Sequence, residues 1–129
     1  MSASIEDLAV GFIEAFNARN ADAIVVVCDP EIVWRPTLLV GAKRTYSGHE
    51  GMRRWVEDLA HAAVQHRSQI TSVCALANDR FAIFADLATG AAHDTPAAMV
   101  ARIGASGLIV EADGYLSDAE LLRRLGVLD

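Results

Sequence analysis

The chain has 129 residues, a formal charge of −6 and 53% apolar residues. That length fits a single domain, 1–129, with enough apolar material for its own core, and it excludes a disordered chain. The acidic balance argues against a nucleic-acid platform, and the longest apolar run, 23–28, falls far short of the roughly twenty residues a membrane helix needs.

Residues 4–18 set Ile5, Leu8, Ala9, Phe12, Ile13 and Phe16 on one face, which predicts an amphipathic helix. Ser4 is its expected N-cap, with Glu6 and Asp7 in the first turn. A second short helix, 21–28, is apolar nearly all round, which predicts burial, and Asp29-Pro30 ends it. Residues 32–36 read as a short strand of β-branched and aromatic residues stopped by Pro36. A loop is expected over 37–48. A third helix, 49–64, follows, with Met52, Trp55, Val56, Leu59 and Ala63 as its apolar stripe. Arg53, Arg54, Glu57 and Asp58 lie opposite that stripe.

The period then changes to two. Residues 67–77 alternate, with Ile70, Cys74 and Leu76 on one side. Strands are predicted over 81–89, 97–103 and 108–116, joined as a meander, with a tight turn at 104–107. A terminal helix over 118–125 is capped by Ser117 and closed by Gly126. Helices segregated from a run of strands give an α+β class.

The first seven residues carry neither a basic nor an apolar leader, so no signal peptide is expected. Cys28 and Cys74 sit in apolar stretches and read as reduced core residues, with a disulfide between them as the alternative; the cytoplasm is the expected compartment. His49, His61, His66 and His93 have no metal-ligand spacing, so no metal and no cofactor is expected. His49 is placed near a helix start, His61 and His66 in solvent near a helix end. His93-Asp94 is part of a triad pattern, but adjacency in sequence brings no serine into reach.

Three stretches carry a family resemblance. Phe16-Asn17-Ala18-Arg19-Asn20-Ala21-Asp22-Ala23 leads to Asp29-Pro30-Glu31-Ile32-Val33-Trp34; Tyr46-Ser47-Gly48-His49-Glu50-Gly51 opens the third helix; and residues 107–116 precede the terminal helix. Together they resemble the SnoaL-like branch of the nuclear-transport-factor-2-like superfamily. The resemblance implies a cone-shaped curved antiparallel sheet wrapping three N-terminal helices, a short C-terminal helix and a pocket at the open end. Relatives include polyketide cyclases, ketosteroid isomerase, limonene epoxide hydrolase and proteins that only bind small molecules. A fold shared so widely does not name a reaction.

Set beside ketosteroid isomerase, the positions of its tyrosine, base and donor aspartate fall on Phe12, Pro36 and Met99, none of which moves a proton. The acids left for a catalytic reading are Asp86 and Asp113, with Arg35 or Arg102 as partners. Asp86 interrupts an apolar strand: it either faces solvent or pairs with Arg102, or it points inward as a desolvated general base. Asp113 shares a face with Glu111, expected to be the outer one. Phe12, Phe16, Trp34, Pro36, Tyr46, Met52, Trp55 and Met99 are the expected lining of an apolar pocket, with plain core packing as the alternative for Trp55. The expectation is a protein that binds a hydrophobic small molecule, the alternative an enzyme of cyclase, isomerase or epoxide-hydrolase type using a pocket Asp. The broad outer sheet face, carrying Phe84, Asp86, Val100 and Arg102, is expected to pair two copies as a homodimer.

Overall fold

The computed structural model describes residues 4–36, 44–61, 65–88 and 94–128. The chain runs α1 (Ile5–Ala18), α2 (Ala21–Val27), β1 (Cys28–Arg35), β2 (Tyr46–Ser47), α3 (Gly48–His61), β3 (Arg67–Ala75), β4 (Arg80–Ala88), β5 (Thr95–Ile103), β6 (Ile109–Tyr115) and α4 (Ala119–Arg124). The expected α+β class holds.

α1 begins where its cap is written. Ser4 Oγ accepts from the Asp7 amide while the Ser4 amide donates to the Asp7 carboxylate, so two free amides are satisfied reciprocally. The helix ends at Arg19 in the left-handed region, φ 53°. α2 is not buried all round: Ile24 is enclosed, but Val26 is 69% exposed. The helix packs on α1, α3 and β1, and Val26 is on the side left to solvent.

The six strands form one open sheet in the order β2-β1-β6-β5-β4-β3. Every neighbouring pair is antiparallel except β1 and β6, which run parallel; the expected all-antiparallel sheet is corrected on that point. β1 also starts four residues earlier than its apolar core suggests. Pro30 lies inside it, tolerated because the ladder with β6 is irregular between Cys28 and Val33. β2 lies in the stretch expected to be loop.

Helices α1, α2 and α3 cover the inner face of the sheet. Leu8, Phe12, Ile24, Met52 and Trp55 share one core with Ile32, Phe81, Ile83, Met99, Ile109 and Ala112. α4 and the residues after it cover part of the outer face, setting Leu122 and Leu128 against Ala82, Ala98 and Val100. Its N-cap is Asp118, one residue after the expected Ser117, which is instead buried. The faces of β5 fall as expected: Met99, Ala101 and Ile103 inward, Val100 outward.

β3 corrects the reading of Cys74. Its register with β4 shifts between Ile70 and Ser72, so the strand changes face and Val73, not Cys74, packs on the core. Cys74 is exposed, whereas Cys28 is enclosed and its thiol is pushed up to about 12 by burial. The edge of β3 is guarded by Asn17, whose amide nitrogen donates to the Ser68 carbonyl at 2.9 Å while its oxygen accepts from the Ser68 amide at 2.7 Å.

Candidate functional site

A chamber of about 600 Å³ opens between the helices and the inner sheet face. One wall is aromatic. Phe12 and Phe16, one turn apart on α1, both stack on Trp55 of α3, with ring centres 5.9 and 5.7 Å away. Trp34 stands edge to face with Phe12 at 5.5 Å and with Trp55 at 5.2 Å. The opposite wall is made of smaller groups, with Ala85, Ala97 and Gly114 beside Ile83, Leu87 and Met99. Ala85 and Ala97 are register partners across β4 and β5, so their short side chains leave adjoining space above the sheet.

Seven of the anticipated residues therefore line one space: Phe12, Phe16, Trp34, Pro36, Tyr46, Trp55 and Met99. Met52 does not. It lies one turn before Trp55, where α3 already presses on β1 and α2, and it is fully enclosed in the core. The Trp34 indole nitrogen is buried without a hydrogen-bond partner among the described residues, in surroundings that its ring contacts make aromatic.

Neither expected catalytic acid lines this chamber. Asp86 follows Ala85 on β4, and the alternation that turns Ala85 inward turns Asp86 outward into solvent. It sits opposite Pro96 and Gln69, not Arg102. Asp113 lies on the outer face as well. Its carboxylate accepts from Arg35 at 2.5 Å, and Arg35 also reaches Glu111 at 3.0 Å. Arg102 approaches Glu111 from the other side at 3.8 Å. These four charges form a ladder across β1, β6 and β5, and the two carboxylates hold the Arg35 guanidinium well above its ordinary pKa. The inward general-base reading of Asp86 is thereby corrected, and Asp113 is committed to an ion pair away from the chamber.

The chamber has its own polar end, which sequence reasoning missed. The Tyr46 hydroxyl donates to Asp58 Oδ2 at 2.6 Å, and Arg44 Nη1 donates to the same oxygen at 3.2 Å. Tyr46 is placed by β2, where it is the register partner of Trp34 on β1, so both side chains share the inner face. Gly51 lets α3 close on that strand: a Cβ there would meet the Tyr46 backbone at 3.0 Å. Asp58 was placed opposite the apolar stripe, yet it lies between Trp55 and Leu59 at the stripe's edge and turns toward Tyr46. Burial first, and the neighbouring Asp58 carboxylate second, push the Tyr46 hydroxyl above its ordinary pKa.

His66, expected in solvent, is half-buried and lines the chamber beside Ser68. Arg19 fixes that stretch by donating to the His66 carbonyl at 2.8 Å, with its guanidinium 4.5 Å above the Phe16 ring. His49 does sit at a helix start, its Nε2 2.7 Å from the Cys28 carbonyl oxygen. His93 lies outside the described residues. Among the described residues, no three of His, Cys, Asp and Glu come together to hold a metal ion. None of the described helices is long and apolar enough to cross a membrane.

Solved structures share this architecture. A protein of unknown function with a cystatin-like fold from Methylobium petroleophilum PM1 superposes with a TM-score of 0.72 at 17% identity, covering 92% of this chain and 80% of its own. A protein with a ketosteroid isomerase-like fold from Catenulispora acidiphila, solved in complex with trimethylamine, gives 0.70 at 18% identity, covering 96% and 95%. A SnoaL-like protein of unknown function from Burkholderia thailandensis gives 0.69 at 21% identity, covering 88% and 95%. At these identities the likeness is one of fold. No curated protein matches the chain in sequence. The SnoaL-like domain profile matches residues 9–112, most of the chain, and the chain belongs to the SnoaL-like domain family.

Proposed function

We propose that the protein binds an apolar small molecule in the chamber between its helices and its sheet. The observation that carries this reading is the chamber itself: about 600 Å³ faced by an aromatic wall on one side and short side chains on the other. A well-packed domain of this size keeps few voids larger than a water molecule, so a space this large and this apolar is suited to a ligand. Chemistry in the chamber would not use Asp86 or Asp113, because both carboxylates lie on the far side of the sheet.

Calorimetric titration with 1-methylnaphthalene tests the reading. Burial of apolar surface predicts saturable binding with a negative heat-capacity change. Ala85→Phe places a ring in the chamber while leaving the residues of the aromatic wall unsubstituted, and it is expected to abolish that binding while the fold's melting transition persists. Absence of saturable binding, or equal binding by the filled variant, would remove the chamber from the argument.

A further inference from the structure

We infer that the chamber selects an apolar molecule carrying one hydrogen-bond donor, a hydroxyl or a protonated amine, and that Asp58 is the residue that receives it. The inference rests on the chamber being a binding site and names what that site prefers.

Among the described residues lining the chamber, Asp58 is the only acid. Both of its bonds, from Tyr46 and from Arg44, fall on Oδ2. Oδ1 makes no bond to a described residue and keeps its acceptor capacity. Asp58 also stands at a boundary. A second, polar recess of about 390 Å³, lined by Thr45, Ser47, Glu50 and Arg54, shares Arg44, Tyr46 and Asp58 with the apolar chamber. A molecule with an apolar body and a single polar group satisfies both sides with that group at this wall and its body in the chamber.

The donor assignment follows from which group is held in place. Asp58 rises from the last turn of α3 and is fixed by the hydroxyl of Tyr46, a residue only 7% exposed. Arg44 belongs to no helix or strand, and its side chain is 74% exposed, so water competes for its guanidinium. A fixed carboxylate recognises a donor with less ordering cost than a solvated arginine recognises an acceptor. The aromatic wall and the chain's net charge of −6 further favour a cationic donor over an anionic group.

The test ranks four probes of one shape by calorimetry: 1-methylnaphthalene, 1-naphthalenemethanol, 1-naphthylmethylamine and 1-naphthaleneacetate. A hydrogen bond to a charged acceptor predicts that the amine, and to a lesser degree the alcohol, bind on the order of tenfold tighter than the hydrocarbon. Asp58→Asn is expected to erase the amine's advantage over 1-methylnaphthalene, so that the two bind the variant about equally. Equal affinities for amine, alcohol and hydrocarbon would overturn the inference and leave the chamber's binding intact. Tightest binding of the acetate would overturn it in favour of Arg44. No saturable binding by any of the four would overturn both the inference and the reading beneath it. The wild-type ranking decides these outcomes however the variant folds.

Discussion

The chain's two tyrosines, Tyr46 and Tyr115, both hold their protons more firmly than free tyrosine, in each case chiefly because burial disfavours the phenolate. Their folded pKa values are raised above the unfolded ones. Their contribution to stability is therefore complete below pH ~10, the unperturbed tyrosine value, and is lost as pH rises through the higher folded values. Ultraviolet titration of tyrosinate checks this directly: the folded protein is expected to show midpoints above ~10 for both residues. A midpoint at or below the free value would show that the tyrosine giving it is not shielded as described. The same two scales of environment explain what could be read beforehand. Phe12, Phe16 and Trp55 were legible because helical spacing alone decides which way they face, and Trp34 and Met99 because strand alternation does. Asp58 was not, because its direction is set by the hydroxyl of Tyr46 across a strand pair that no local pattern announces. Asp86 was legible only as an alternative between two faces, and its exposed position follows once Ala85 is known to line the chamber.

Among the elements, the two-residue strand β2 and the first turns of α3 control the polar end of the chamber. Gly51 is the contact between them, and the atoms that a Cβ would strike are backbone, which has no rotamer to escape into. Gly51→Ala is therefore expected to destabilise the fold by about 1–3 kcal/mol, the usual cost of overpacking, despite alanine's better helix propensity. Chemical denaturation measures the loss. A neutral or stabilising result would mean that α3 and β2 separate freely, and Tyr46 would then not be a fixed support for Asp58. The length and position of α1 were written in its capping box and apolar stripe, so they could be read from residues 4–18 alone. β3 could not be read so fully, since one irregular residue between Ile70 and Ser72 reverses the facing of all that follows, and Cys74 is exposed as a result. Nothing in the apolar spelling of α2 reveals that its outer side, with Val26, stays largely exposed.

For the whole molecule, the outer sheet face is divided. α4 and the residues after it cover Ala82, Ala98 and Val100, while the ladder of Arg35, Glu111, Asp113 and Arg102 stays partly exposed, and α4 itself leaves Leu121 and Leu125 exposed. We propose that two copies pair across this face, joining the charged ladder and the exposed leucines of each. Sedimentation equilibrium is expected to give a dimer at micromolar concentration, weakened by Leu125→Asp; a monomer would refute the pairing. The parallel union of β1 with β6 has a different consequence, one concerned with synthesis. Trp34 and Ala112 are neighbours in space but 78 positions apart in sequence. On the ribosome α1, α2 and β1 emerge first, and β1, with Ile32 and Trp34, has only the two-residue β2 beside it in the sheet until the last strand is made. The chamber is thus among the last parts of the nascent chain to exist, and a translation product halted before residue 109 would carry its apolar walls with nothing to close them.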